Sequence, residues 1–428
     1  MKQITFSILL CITIRSSAQT KADTIALLFK NIETATANFK NLWGKDIYGP
    51  VLMVDPVTRM AYANMPDSFG VLKPDGLIFY ATLPSSVIIA NASIRWNGYT
   101  WAMMMEPFLP ANEKDRVNLF CHELFHVSQA SLGFILKEAN NNHIDTKDGR
   151  IYLRLELNAL KKAVNASSKK EIKEELTNAM IFRKYRRSLF PLSDSTENML
   201  ELNEGIAEYT GAMMSGRSER EMKDYFIRKM DDFLKSGAFV RTFAYRTIPV
   251  YGYFLKESKQ YWNKDITIRT NLTSYLIKQL NISLPGDIST EVKKIRNAYN
   301  YEQILDEETE KEEKTNQLIE FYKAQFFDNP SLKINFEKKK ASFDARTLVT
   351  IPDKGIVYPT TTVTDVWGVL TVDKAGALMS PDRNSMLITA PQKTEGNLIA
   401  GEGWLLKLNE GYEVIKEGSG NYKLIRKK

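Results

Sequence analysis

Apolar residues recur at helical spacing through Ile25, Leu28, Ile32, Ala35 and Phe39, which predicts an amphipathic helix over 22–43 closed by Gly44. The period then shortens to two. Segments 51–54, 77–82, 87–96 and 99–105 are rich in β-branched and aromatic residues, and Asn97-Gly98 between the last two is a hairpin signal. These segments predict a small antiparallel sheet. From Asn112 to about residue 326 the pattern turns almost wholly helical, broken by polar stretches near 140–148, 191–196 and 285–287. Two of the expected helices cover about 151–166 and 168–188. The charge-dense stretch 306–314 reads as a solvated helix face. Beyond about residue 328, short alternating segments such as 367–372, 385–390 and 404–408 are cut by Gly, Pro, Asn and Asp, predicting a small sandwich or barrel. The expected fold is α+β: a mainly helical domain with a small sheet over 19–328, then an all-β domain over 329–428.

Composition changes this picture mainly at the N-terminus. Of 428 residues, 43% are hydrophobic and 25% charged, ordinary globular values for a chain too long for one small core. Residues 1–18 read as a secretory leader: Lys2, an apolar run from Ile4 to Ile14, then Ser16-Ser17-Ala18 as a cleavage site. That run is too short to span a bilayer and no other segment approaches the length. The mature chain is therefore expected to lack a transmembrane segment and to work outside the cytoplasm, secreted or periplasmic. Cys11 leaves with the leader, so no intrachain disulfide can form. Cys121 is expected to be a buried thiol, turned about 100° from its neighbour His122 and unsuited to share a ligand with it. The net charge of +7 is spread over mixed Lys/Glu faces with no basic block interleaved with aromatics, so nucleic acid is not an expected partner.

Candidate chemistry centres on His122-Glu123-Leu124-Phe125-His126, which holds two of the three histidines in the chain. Pro110 and Asn112 are expected to open this helix and Gly133 to close it. Residues four apart on a helix are offset by about 40° and rise about 6 Å, so both imidazoles can reach one tetrahedral ion. Glu123 flanks that face, placed to take a proton from metal-bound water. A carboxylate is the obvious remaining ligand. In a second helical segment stands Leu202-Asn203-Glu204-Gly205-Ile206-Ala207-Glu208-Tyr209. With it the chain resembles the gluzincin metallopeptidases, particularly their aminopeptidase-type branch, as a divergent member. The interval from 126 to 204 is longer than is usual in that branch. The resemblance implies a zincin-like catalytic domain, Zn2+ held by His122, His126 and Glu204, and Glu208 orienting a ligand histidine. A second Leu-Asn-Glu-Gly at 408–411 falls between strand-like segments and reads as a hairpin turn.

The same resemblance points to further positions. In zincin folds the strand before the motif helix usually pairs with extended substrate, which makes 99–105 the expected substrate-binding edge. Glu106 is a candidate for substrate binding through a free amine. Tyr245 and Tyr251 are candidate catalytic donors to a developing oxyanion. His143 reads as a solvent-exposed loop histidine, Asp145 to Gly149 as a turn, and Arg183 to Arg187 as a solvated face able to pair with carboxylates such as Glu156. The function expected is an exported zinc-dependent peptidase acting on peptide or protein substrates, with endopeptidase favoured over aminopeptidase. The alternative is a catalytically silent scaffold acting as a binding or assembly protein.

Overall fold

The structure is a computed structural model and describes residues 21–427 apart from 138, 345–346 and 419. The leader read over 1–18 lies outside the described residues. The chain divides between 304 and 305 into two compact units, and the fold is α+β with a C-terminal β region.

The first unit opens with helix α1 over 21–38. Six strands follow: β1 (Val51–Val54), β2 (Met60–Ala63), β3 (Lys73–Asp75), β4 (Ile78–Thr82), β5 (Ala92–Trp96) and β6 (Tyr99–Met105). They form one sheet in the order β3-β4-β2-β1-β6-β5. Asn97-Gly98 joins β5 to β6 as an antiparallel hairpin, as expected. Two expectations need correction. The sheet is mixed, because β1 and β6 run parallel with Val51 opposite Ala102. And β6 is a central strand, leaving β5 as the edge. The reason is burial: all four residues of β1 and the run Trp101–Met104 of β6 are buried, and strands covered on both faces take the middle of a sheet. β2 and β3 escaped the sequence reading because they are short, and β3 is fully exposed and carries Pro74.

Helix α2 (Glu113–Gln129) packs against β6. The Asn112 side chain accepts from the Asp115 N–H and caps it. Val117, Phe120 and Leu124 form a buried apolar stripe, and Cys121 and Phe125 are buried as well. Burial pushes the Cys121 thiol up to about 12, so it stays an inert thiol. Helices α3 (Lys147–Asn165) and α4 (Lys169–Leu189) pair against each other close to their expected bounds. Ser168 and Glu171 cap α4 reciprocally. Then come α5 (Ser193–Leu200), a π-helical turn (Glu201–Gly205), α6 (Ile206–Met214), α7 (Glu219–Ser236), α8 (Ala244–Ser258), α9 (Leu272–Gln279) and α10 (Ile288–Ile295).

All nine residues of α6 are buried, and two glycines set how closely it approaches its neighbours. A Cβ at Gly211 would lie 2.4 Å from the Asn118 carbonyl oxygen of α2, and one at Gly205 would lie 2.7 Å from Ile248 of α8. No larger residue fits either place without moving backbone or core, so Gly211 lets α6 approach the helix that carries His122 and His126, and Gly205 lets its start approach α8.

Beside the π-helical turn, Arg183, Arg186 and Arg187 meet Glu156, Glu197 and Glu201. The expectation of a solvated arginine face is corrected here: Arg183 and Arg186 are wholly buried, although the pairing with Glu156 is present. His143 is not a solvent-exposed histidine either, since its Nε2 lies 2.9 Å from the buried Glu197 carboxylate. Among the described residues no helix is long and apolar enough to cross a membrane.

In the second unit, the stretch 306–314 lies within α11 (Tyr301–Lys323). A seven-stranded and a six-stranded sheet then pack face to face over one core that includes Ile334, Ile388, Leu370, Leu406, Trp367 and Trp404, which makes the β region a sandwich. Glu410 sits in a turn, as expected, but not in a hairpin. The turn joins Trp404–Leu408 of the six-stranded sheet to Tyr412–Lys416 of the seven-stranded one.

Candidate metal centre

His122 and His126 stand one turn apart on α2, and Glu204 reaches them from the π-helical turn that precedes α6. His122 Nε2 and His126 Nε2 are 3.1 Å apart, and Glu204 Oε2 lies 3.4 Å from the first and 3.3 Å from the second. Ligand atoms held at about 2.0–2.2 Å in tetrahedral geometry stand about 3.3–3.5 Å from one another. The triangle therefore has the size a small tetrahedral cation requires. Among the described residues this is the one cluster of three metal-ligating groups, and it can hold a metal ion. A larger cavity, about 740 Å³ in the second unit and lined by residues such as Phe321, Gln325 and Pro391, lies elsewhere.

The hydrogen bonds behind the three ligands orient their lone pairs toward that common point. His122 Nδ1 is 3.1 Å from Glu208 Oε2, and a carboxylate only accepts, so Nδ1 carries the hydrogen and Nε2 is left with its lone pair. His126 Nδ1 donates to Gln129 Oε1 at 2.9 Å, Gln129 Nε2 donates to Asn203 Oδ1 at 2.7 Å, and Asn203 Nδ2 donates to Glu204 Oε1 at 2.8 Å. This relay ties both helices together and turns His126 Nε2 and Glu204 Oε2 toward the centre. Three electron-rich atoms thus converge within hydrogen-bond distance, and only a cation among them, a proton or a metal ion, makes the arrangement favourable. Burial lowers the His122 pKa, but Glu204 and Glu208 outweigh it and raise it to about 10. Conversely, Glu208 resists burial and is lowered to about 2 by His122, Arg246 and Tyr225. Asn118 and Tyr225 hold its other oxygen, at 3.2 and 2.5 Å.

Glu123 is buried against the same helix face, and burial pushes its carboxyl up while both histidines pull it down. It opens, with His122 and Tyr245, onto a cleft of about 300 Å³. The Tyr245 ring stacks on His122 at 5.2 Å and its hydroxyl donates to Glu204 Oε2. Burial and Glu204 raise its pKa, so it remains a protonated donor.

Of the sequence-derived candidates, His122, Glu123, His126, Glu204, Glu208 and Tyr245 come together. Tyr251 does not: it is fully buried, and its hydroxyl donates to Glu156 at 3.0 Å, within the arginine cluster. Glu106 does not either. It lies in a 3-10 turn after β6, is paired with Lys21 at 3.0 Å, and is not part of the cleft lining. Sequence reasoning had no role for Gln129, although its position three residues after His126 places it on the same helix face. Asn118, Tyr225, Lys229 and Arg246 were also missed, and no local signal links them to the histidines. Gln129→Leu is expected to weaken metal binding at this triad about 10–100-fold, the usual loss when the partner of a metal-binding histidine is removed. Competition against a chelator measures it.

No protein-family model matches the chain, and neither a curated protein nor a solved structure matches it.

Proposed function

We propose that this protein is an exported zinc-dependent peptidase of gluzincin type, in which His122, His126 and Glu204 hold Zn2+ and Glu123 is the general base. The observation that carries the reading is the convergence of His122 Nε2, His126 Nε2 and Glu204 Oε2 at 3.1–3.4 Å beside a buried, unpaired carboxylate that opens onto a cleft. Two neutral imidazoles and one carboxylate form a donor set suited to zinc, with one tetrahedral position left over. Zinc in such a set supplies Lewis acidity and lowers the pKa of water.

The remaining chemistry belongs to the chain. Glu123, its basicity raised by burial, accepts a proton as water attacks the substrate carbonyl and passes it to the leaving amine. Tyr245, held over His122, supplies a hydroxyl donor at the edge of the ligand triangle, where negative charge develops on the carbonyl oxygen. Glu208 and Gln129 keep both imidazoles in the tautomer that presents Nε2. A peptide added along β5, the free edge of the sheet next to β6, would run past Asn91 at the mouth of the cleft. Export rests on the leader read over 1–18.

The test is hydrolysis of a mixed peptide pool by purified protein. Turnover is expected to stop on chelation and to return with about one equivalent of zinc. Protein that carries zinc yet cleaves nothing in the pool would instead support a silent scaffold.

A further inference from the structure

The cleft beside the metal centre is lined by cations as well as by carboxylates. Lys229 of α7 and Arg246 of α8 both face it, together with Glu123 and Tyr245. Of the carboxylates that line it, Asp115 and Glu208 are already engaged, while none of the described residues hydrogen-bonds Glu123. Asp115, 3.9 Å from the Lys229 ammonium, binds Arg217 and also Arg228 at 2.9 Å. Glu208 is taken by His122, Asn118 and Tyr225. Among the described residues Arg246 makes one long bond, 3.3 Å to the Tyr245 carbonyl, and its buried Nε–H has no partner. A buried guanidinium N–H without a partner gains a hydrogen bond from an anion that enters beside it. Burial and the neighbouring Arg246 also hold the Lys229 pKa below its ordinary value, although Asp115 and Glu208 oppose them.

We propose that Lys229 and Arg246 form a subsite for a substrate carboxylate, an acidic side chain or a free C-terminus, next to the bond that is cut. This rests on the peptidase reading for the position of that bond, but not for the binding itself. A cleft of about 300 Å³ accommodates one side chain or chain end, and a carboxylate matches the fork of Arg246 while Lys229 supplies a second point charge. The protein would then favour acidic over neutral peptides at the position that occupies the cleft.

The test is calorimetric binding to the full chain of four probes: N-acetyl-alanyl-glutamate amide, the matching glutamine amide, N-acetyl-dialanine with a free carboxylate, and its amide. At least one carboxylate probe is expected to bind about tenfold more tightly than its neutral partner. In Lys229→Met and in Arg246→Met that preference should shrink to about twofold or less, with binding of the neutral probes little changed. Preference confined to the glutamate probe identifies an acidic side chain, and preference confined to the free acid identifies a chain end. Equal binding of charged and neutral probes by wild type overturns the proposal, as does a preference that survives in the double variant. Hydrolysis of neutral peptides alongside equal binding would leave the peptidase reading intact. A carboxylate preference in a protein that cleaves nothing would keep the subsite and remove the peptidase.

Discussion

Glu123→Gln is expected to retain zinc and to lose turnover, with kcat falling about 10²–10⁴-fold and KM nearly unchanged. The substitution keeps the size and the polar surface of the side chain and removes only its ability to take a proton. Glu123 stands apart from the three converging donor atoms, so metal content should be that of wild type. It lines the cleft and none of the described residues hydrogen-bonds its carboxylate, so its burial has no evident structural return. A silent scaffold would have no use for such a group. Steady-state kinetics alongside metal analysis of the same preparation separates lost chemistry from lost zinc. Unchanged kcat in Glu123→Gln would remove the general-base role.

The second large effect lies away from the cleft. Arg186→Met is expected to destabilise the protein by about 3–5 kcal/mol, the usual consequence of removing one partner from a buried ion cluster. Arg186 is wholly buried and bonds Glu156 at 2.7 Å and Glu197 at 2.8 Å. Its removal leaves both carboxylates with fewer cations in a place that water cannot reach. Because Arg187 and Arg183 tie the same cluster to Glu201, the first residue of the turn that presents Glu204, zinc affinity should fall with stability. Denaturant midpoints measure the first effect, and chelator competition at low temperature the second. The cluster also predicts an acid limit. Burial opposes ionisation of Glu156 and Glu197, but the arginines win and hold both carboxyls below the usual range. A depressed folded-state value means that the contribution is full above the ordinary carboxylate pKa of 4.5 and is lost as pH falls through the lowered values.

Much of this site was legible in one dimension because the helix supplies its own geometry. His122 and His126 are fixed relative to each other by a single turn of α2, and Glu204 and Glu208 likewise by the turn that runs into α6. What could not be read was the approach of one element to the other, which depends on Gly211 meeting Asn118, a contact between residues far apart in the chain. The two tyrosine candidates show the same boundary from the other side. Tyr245 and Tyr251 are six residues apart on α8 and so point about 120° away from each other. One faces the centre and the other faces Glu156, and only the packing of α8 decides which. The arginines of α4 read as a solvated face because charge density normally means solvent. Here acidic residues from α3, α5 and the π-helical turn converge on them in the interior. Strand β6 misled for a related reason: the Asn97-Gly98 turn announces β5 on one side, but nothing local announces β1 on the other.

Zinc content of the purified protein, compared between wild type, Glu204→Ala and Glu410→Ala, tests the three-ligand centre most directly. Glu410 occupies the same Leu-Asn-Glu-Gly context but sits in a turn of the β sandwich, which makes it an internal control. The account predicts about one zinc per chain in wild type and in Glu410→Ala, and little or none in Glu204→Ala at the same free zinc concentration. Wild type that holds no zinc after reconstitution, or Glu204→Ala that holds as much as wild type, would contradict it.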